Sequence, residues 1–115
     1  MAELRWTDTN EMTFDPDSRF PSIAIKLLEG RATHPNVSFV VARVAPGGEI
    51  PRHIHPIETE IAYVLSGQGK LVTENAEYPF RVGVAVTIPP GLAHGVVNDG
   101  DVPLEVLAFH TPPTR

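Results

Sequence analysis

The chain contains no cysteine. That excludes disulfides, thiolate nucleophiles, iron–sulfur clusters and thiolate zinc sites together, so any metal must be held by imidazole nitrogen and carboxylate oxygen. Long apolar runs are missing as well: nothing approaches the ~20 consecutive apolar residues of a membrane-spanning helix, and no membrane association is expected. The N-terminal stretch MAELRWTDTNEMTFDPDSRF carries charges throughout and lacks an apolar signal core, which makes the cytoplasm the expected compartment. Cations are few and scattered. With 9 Lys and Arg against 14 Asp and Glu, and a formal net charge of -5, the surface repels phosphate backbones, and no nucleic-acid partner is expected.

Stretches free of proline and glycine are short. The 12 prolines and 9 glycines fall as punctuation, at Pro46-Gly47-Gly48, Pro51, Pro56, Gly67, Gly69, Gly83, Pro89-Pro90-Gly91, Gly100, Pro103 and Pro112-Pro113. Both residues are poor in helix interiors and sheet centres, so the gaps leave no room for a long helix. The apolar share of 42% is ordinary for a globular domain, and the length suits one compact domain.

From Asn36 onward the gaps read as strands, at residues 37–44, 61–65, 70–74, 78–81, 84–88, 94–98 and 104–110. Gly67-Gln68-Gly69, Asn75-Ala76-Glu77 and Asp99-Gly100-Asp101 read as turns. Short strands at this spacing, without helices between them, predict an all-β antiparallel sandwich or closed barrel. Residues 22–28 (SIAIKLL) fit a strand or a short helix, and a strand is preferred because a turn-like Glu29-Gly30-Arg31 follows. The expected division is therefore an N-terminal arm over residues 1–35 and a barrel over 36–115. The arm would pair with the barrel edge or with a second subunit.

Chemistry concentrates in GGEIPRHIHPIETEIAYVLSG, residues 47–67. His53 and His55 are two apart, so on an extended segment their imidazoles share a face. Glu60 opens the next strand, and a hairpin would return its carboxylate beside them. A third imidazole, His94, follows the Pro89-Pro90-Gly91 turn. Such a set suits one divalent transition metal: Fe, Mn, Ni, Cu or Zn. The first segment runs Gly47, five residues, His53-x-His55, four residues, Glu60, six residues, Gly67. The second runs Gly83, five residues, Pro89-x-Gly91, two residues, His94, three residues, Asn98.

Both segments resemble, at every defining position, the paired signature motifs of the cupin superfamily, and the short spacer is similar to that of its small single-domain members. The resemblance runs from Asn36 to Thr111. It implies a double-stranded β-helix, or jelly-roll barrel, with one metal held inside by His53, His55, Glu60 and His94.

Other residues carry weaker expectations. Gly47-Gly48, Gly67 and Gly83 fit turns or close approaches, and Asn98 is expected to hydrogen-bond backbone. Glu58 is read as solvent-exposed on its loop, and His34 as a surface residue. His110 shares strand parity with Leu104, Val106 and Ala108; a plain strand-end histidine is preferred over one that supports a metal ligand or acts in acid–base chemistry. Tyr63 is the other candidate for supporting the metal site. With Arg43 it is also a candidate for a substrate pocket or an oligomer interface, as Trp6, Phe14 and Phe20 are for packing on the barrel or on a partner.

Four protein ligands leave an octahedral ion two positions for water, O₂ or a bidentate oxygen donor such as a diketone, hydroxy acid or catechol. The leading expectation is a metal-dependent enzyme on a small organic substrate, with dioxygenation first among its reactions. Isomerase, decarboxylase or cyclase chemistry, or a non-catalytic sensor or carrier domain, are the alternatives. A homodimer is expected, because an open jelly-roll edge and an apolar arm invite pairing.

Overall fold

Burial alternates along most of the chain's extended segments, as it does when one face of a strand meets a core and the other meets solvent. The computed structural model describes residues 2–115. It contains β1 (Asp15–Pro16), β2 (Ile23–Glu29), β3 (Ser38–Val44), β4 (Glu49–His53), β5 (Thr59–Ser66), β6 (Gln68–Thr73), β7 (Glu77–Arg81), β8 (Ala85–Ile88), β9 (His94–Val97) and β10 (Leu104–Thr111). A single 3-10 turn, Thr9–Glu11, precedes them, and there is no α-helix among the described residues. The strands form a six-stranded sheet in the order β1-β2-β3-β10-β5-β8 and a four-stranded sheet in the order β4-β9-β6-β7. Neighbours distant in sequence, such as β3 with β10 and β4 with β9, pair antiparallel. This is the double-stranded β-helix of the jelly roll, in a single domain.

The strand ends differ from the sequence expectation by a residue or two, with two informative exceptions. The Gly67-Gln68-Gly69 turn contracts to Gly67, and β6 begins at Gln68. Gly67 adopts φ +80°, and a Cβ there would lie 2.3 Å from the Pro103 carbonyl oxygen, so one residue without a side chain makes the whole reversal. The second exception is β4, which carries Pro51 and a register shift between Ile50 and His53. These hide its alternation from a sequence reading.

Residues 22–28 are strand: β2 pairs with β3 from Ile23 opposite Val44 to Glu29 opposite Phe39. Ile23 is buried in the core with Val44, Val64, Phe80, Leu104 and Val106. Burying side chains of this size stabilises a fold by about 1.5–3 kcal/mol each. Phe20 packs on the same cluster. Phe14 takes the Arg43 guanidinium over its ring at 4.1 Å and the Lys26 ammonium at 4.5 Å. Trp6 stands 77% exposed, so it is not packed into the barrel within one chain.

Candidate metal centre

Register, rather than loop geometry, assembles the polar residues. His53 on β4 is the cross-strand partner of His94 on β9, and Glu60 on β5 is the partner of His110 on β10. Inward positions of β5 run Val64, Ala62, Glu60, and those of β10 run Leu104, Val106, Ala108, His110. Each strand is thus apolar along the core and polar at one end, and the two sheets place those ends face to face. The expected hairpin between the His53-His55 segment and Glu60 does not form, because β4 and β5 belong to different sheets. Glu60 reaches the histidines across the barrel interior. His55 lies just beyond β4, where its carbonyl accepts the Gly91 N–H at 2.8 Å. That bond ties one ligand segment to the other, at a glycine with φ +85°.

One donor atom from each of His53, His55, Glu60 and His94 lies within 4.8 Å of the others. Nδ1 of His53 meets the Pro51 carbonyl at 2.9 Å and Nδ1 of His94 meets the Leu92 carbonyl at 2.9 Å. A carbonyl can only accept, so both Nδ1 atoms carry protons and each Nε2 can present a lone pair to the centre. Nε2 of His53 and His55 are 3.2 Å apart. Glu60 Oε1 lies 3.3 Å from His55 Nε2, 3.2 Å from His94 Nε2 and 2.9 Å from His110 Nε2. Converging imidazole nitrogens around one carboxylate, with outer nitrogens already bonded to backbone, fit a divalent transition ion in donor type and orientation.

The electrostatics divide the cluster. Burial opposes ionisation of Glu60, but hydrogen bonds from His110, His55 and His94 outweigh it and hold the carboxyl far below its ordinary range. Burial lowers the pKa of His53, against the pull of the Pro51 carbonyl, so this imidazole favours the neutral form a ligand needs. His94 is shifted the other way: burial is outweighed by its bonds to Glu60 and the Leu92 carbonyl, and its pKa is raised.

The remaining candidates separate cleanly. His110 sits at a strand end but is engaged with Glu60. Tyr63 does not approach the site: strand alternation turns it to the outer face, 44% exposed, where it cannot support a ligand. Arg43 pairs with Glu105 at 3.2 Å on that same face. Glu58 is half-buried on its loop rather than exposed, and it stands outside the ligand cluster. Asn98 is fully buried, donating to the Val44 and Val102 carbonyls and accepting from Gly100 N–H.

A pocket of about 70 Å³ opens onto the centre, walled by Phe20, Ile23, Val40, Ala42, Val96 and Ala108 and by Asp17, Arg19, Thr114 and Arg115. The charged part of that wall has no signature in the sequence. No spacing marks it, and its members come from opposite ends of the chain.

A small jelly-roll barrel with three imidazoles and a carboxylate inside defines the class. The family described as "Cupin domain" matches residues 40–110, and the chain belongs to the cupin family. It is 34% identical over 86 residues to an uncharacterized protein of Methanocaldococcus jannaschii, covering 70% of this chain and 69% of that one. It is 31% identical over 83 residues to an oxalate-binding protein of Thermotoga maritima, covering 71% of this chain and 69% of that one. Other curated relatives are longer, and the chain spans 52% of Protein SchB of Streptomyces halstedii. The polyketide cyclase RemF of Streptomyces resistomycificus superposes with a TM-score of 0.84 over 95% of this chain and 80% of its own, at 22% identity, a likeness of fold alone. Among the described residues, no helix is long and apolar enough to cross a membrane.

Proposed function

We propose that the protein is a metal-dependent enzyme acting on a small organic substrate, with dioxygenation as its leading reaction. One observation supports this above the rest: the Nε2 atoms of His55, His94 and His110 converge on Glu60 Oε1 within 3.3 Å, at the end of a pocket rather than inside a closed core. His53, His55, Glu60 and His94 would hold the ion. A divalent metal there supplies Lewis acidity and, if redox-active, one-electron chemistry with O₂. The chain's own groups set the conditions for it. The Pro51 and Leu92 carbonyls orient His53 and His94, His110 steadies the Glu60 carboxylate, and the apolar wall around Phe20, Ile23 and Val40 limits water. The free volume equals a few water-sized spheres of ~10–15 Å³, which restricts the portion of a substrate that can sit on the metal to a few atoms.

Elemental analysis of the purified protein beside a His53→Ala/His94→Ala variant tests the site. About one equivalent of metal in the native protein and none in the variant is expected. O₂ uptake by the Fe(II)-loaded protein with simple diketones or catechols tests the reaction. Uptake no faster than the double variant's would remove dioxygenation and leave non-redox chemistry or a binding role. The binding role draws support from the oxalate-binding relative.

Pairing into a homodimer is part of the same proposal. The outer face of the six-stranded sheet carries Phe39 stacked on Phe109 at 4.1 Å, with Ile61, Tyr63 and Leu65 exposed by 44%, 44% and 42% beside them. Exposed apolar patches of this kind are commonly covered by a partner, and light scattering should return the mass of two chains.

A further inference from the structure

The charged wall of the pocket is not explained by metal ligation. Asp17 is buried, its side chain 2% exposed. Its Oδ1 accepts the Arg19 backbone N–H at 2.8 Å and its Oδ2 accepts Arg115 Nη2 at 2.9 Å, while Arg19 Nε stands 3.6 Å from Oδ1. Two guanidiniums therefore share one carboxylate, and these three side chains together carry one positive charge in excess. The Asp17 carboxylate is consumed by holding its neighbours. The guanidiniums are not: each carries five N–H donors, and Arg115 places one hydrogen bond on Asp17. The Arg19 guanidinium also lies over the Phe20 ring at 5.2 Å, and that ring is 5.9 Å from the His53 imidazole. A continuous surface thus leads from the ligand cluster to the guanidiniums, all of it lining one pocket.

We propose that Arg19 and Arg115, positioned by Asp17, form an anion subsite that takes a carboxylate of the molecule bound at the metal centre. The substrate class is then a small organic acid with two anionic or oxygen-donor ends. One end faces the metal, where Glu60 offsets only part of a divalent charge, and the other faces the arginines. Guanidinium is suited to this role because its planar fork matches a carboxylate and it is charged at every working pH. Both residues lie outside the segment 40–110 that the family model matches. It rests on the preceding proposal only in requiring that the metal centre bind a ligand.

The test is calorimetric titration of the Zn(II)-loaded protein with oxalate, malonate and succinate, with acetate and the neutral diketone acetylacetone as controls. At least one dicarboxylate should bind tenfold or more tightly than acetate. In an Arg19→Gln/Arg115→Gln variant that preference should disappear, with one equivalent of zinc and the acetylacetone affinity retained. Arg19 is half-exposed and Arg19→Gln alone keeps the Asp17–Arg115 pair, so a several-fold loss in that single variant covers the case in which the double variant does not fold. Arg19→Lys should recover only part of the loss, since an ammonium lacks the fork. Dicarboxylates binding equally well to native and variant proteins would overturn the subsite and leave the arginines as a strut. So would a native protein that binds acetylacetone but no dicarboxylate better than acetate. Failure of the zinc-loaded native protein to bind any of these compounds would overturn the ligand-binding role of the metal centre as well.

Discussion

The interior of the barrel has two halves built on the same strands. Toward one end Val64, Leu71, Phe80 and Leu104 meet, none more than 5% exposed. Toward the other lie His53, His55, Glu60, His94 and His110. On β5 the change occurs between Ala62 and Glu60, on β9 between Val96 and His94, and on β10 between Ala108 and His110. The dry half obeys only volume and hydrophobicity, and its residues are interchangeable within limits of size. In the polar half every group needs a named partner, because a buried polar atom without one costs about 1–3 kcal/mol. The dry half therefore supplies the free energy, and it provides a rigid floor for donors whose positions have to hold to within tenths of an ångström.

The largest effect expected from that division is in the dry half. Phe80→Ala should cost about 3–5 kcal/mol of unfolding free energy, read by denaturant titration, while the folded fraction keeps its full metal equivalent. Metal loss from the folded fraction would mean that the halves are not separable. A change in the polar half should behave the other way round. His110→Gln leaves Glu60 bonded to His55 and His94, so the metal-free protein should unfold near the native midpoint. Its affinity for metal should nevertheless fall about 10–100-fold, as for other groups that orient a ligand, measured by competition with a chelator. An unchanged affinity would reduce His110 to a strand-end residue.

The smallest effect concerns pH. Asp17 is held below its ordinary value of 3.8: burial opposes this, but the Arg19 N–H and Arg115 outweigh it. A lowered folded pKa contributes stability that is fully present above the unfolded value and is lost as pH falls through the folded one. Asp17→Asn should therefore reduce stability by about 1 kcal/mol at neutral pH, and the gap from the native protein should close below about pH 3.8. A gap that persists unchanged in acid would place the effect in packing and not in charge. No change in the dry half should show this acid dependence, since its side chains do not titrate.

Much of this molecule is legible in its sequence because the signals are local. Period-two alternation and Pro/Gly punctuation locate most of the strands, and the spacing of His53, His55, Glu60 and His94 marks the donors. Alternation fails at β4, where Pro51 and a bulge break the period, and parity alone does not reveal that His110 finds a partner in Glu60.

The sequence by itself determined the donor set, the absence of thiolate chemistry and the all-β class, since each depends on residue type or on neighbours a few positions apart. Only the tertiary structure decided that Glu60 meets the histidines across two sheets and that Tyr63 faces outward. The same holds for the ion pair of Asp17 with Arg115, 98 positions away in sequence. Contacts of that range are set by strand register and sheet order, and these are fixed by the packing of the whole core rather than by any segment that could be read alone.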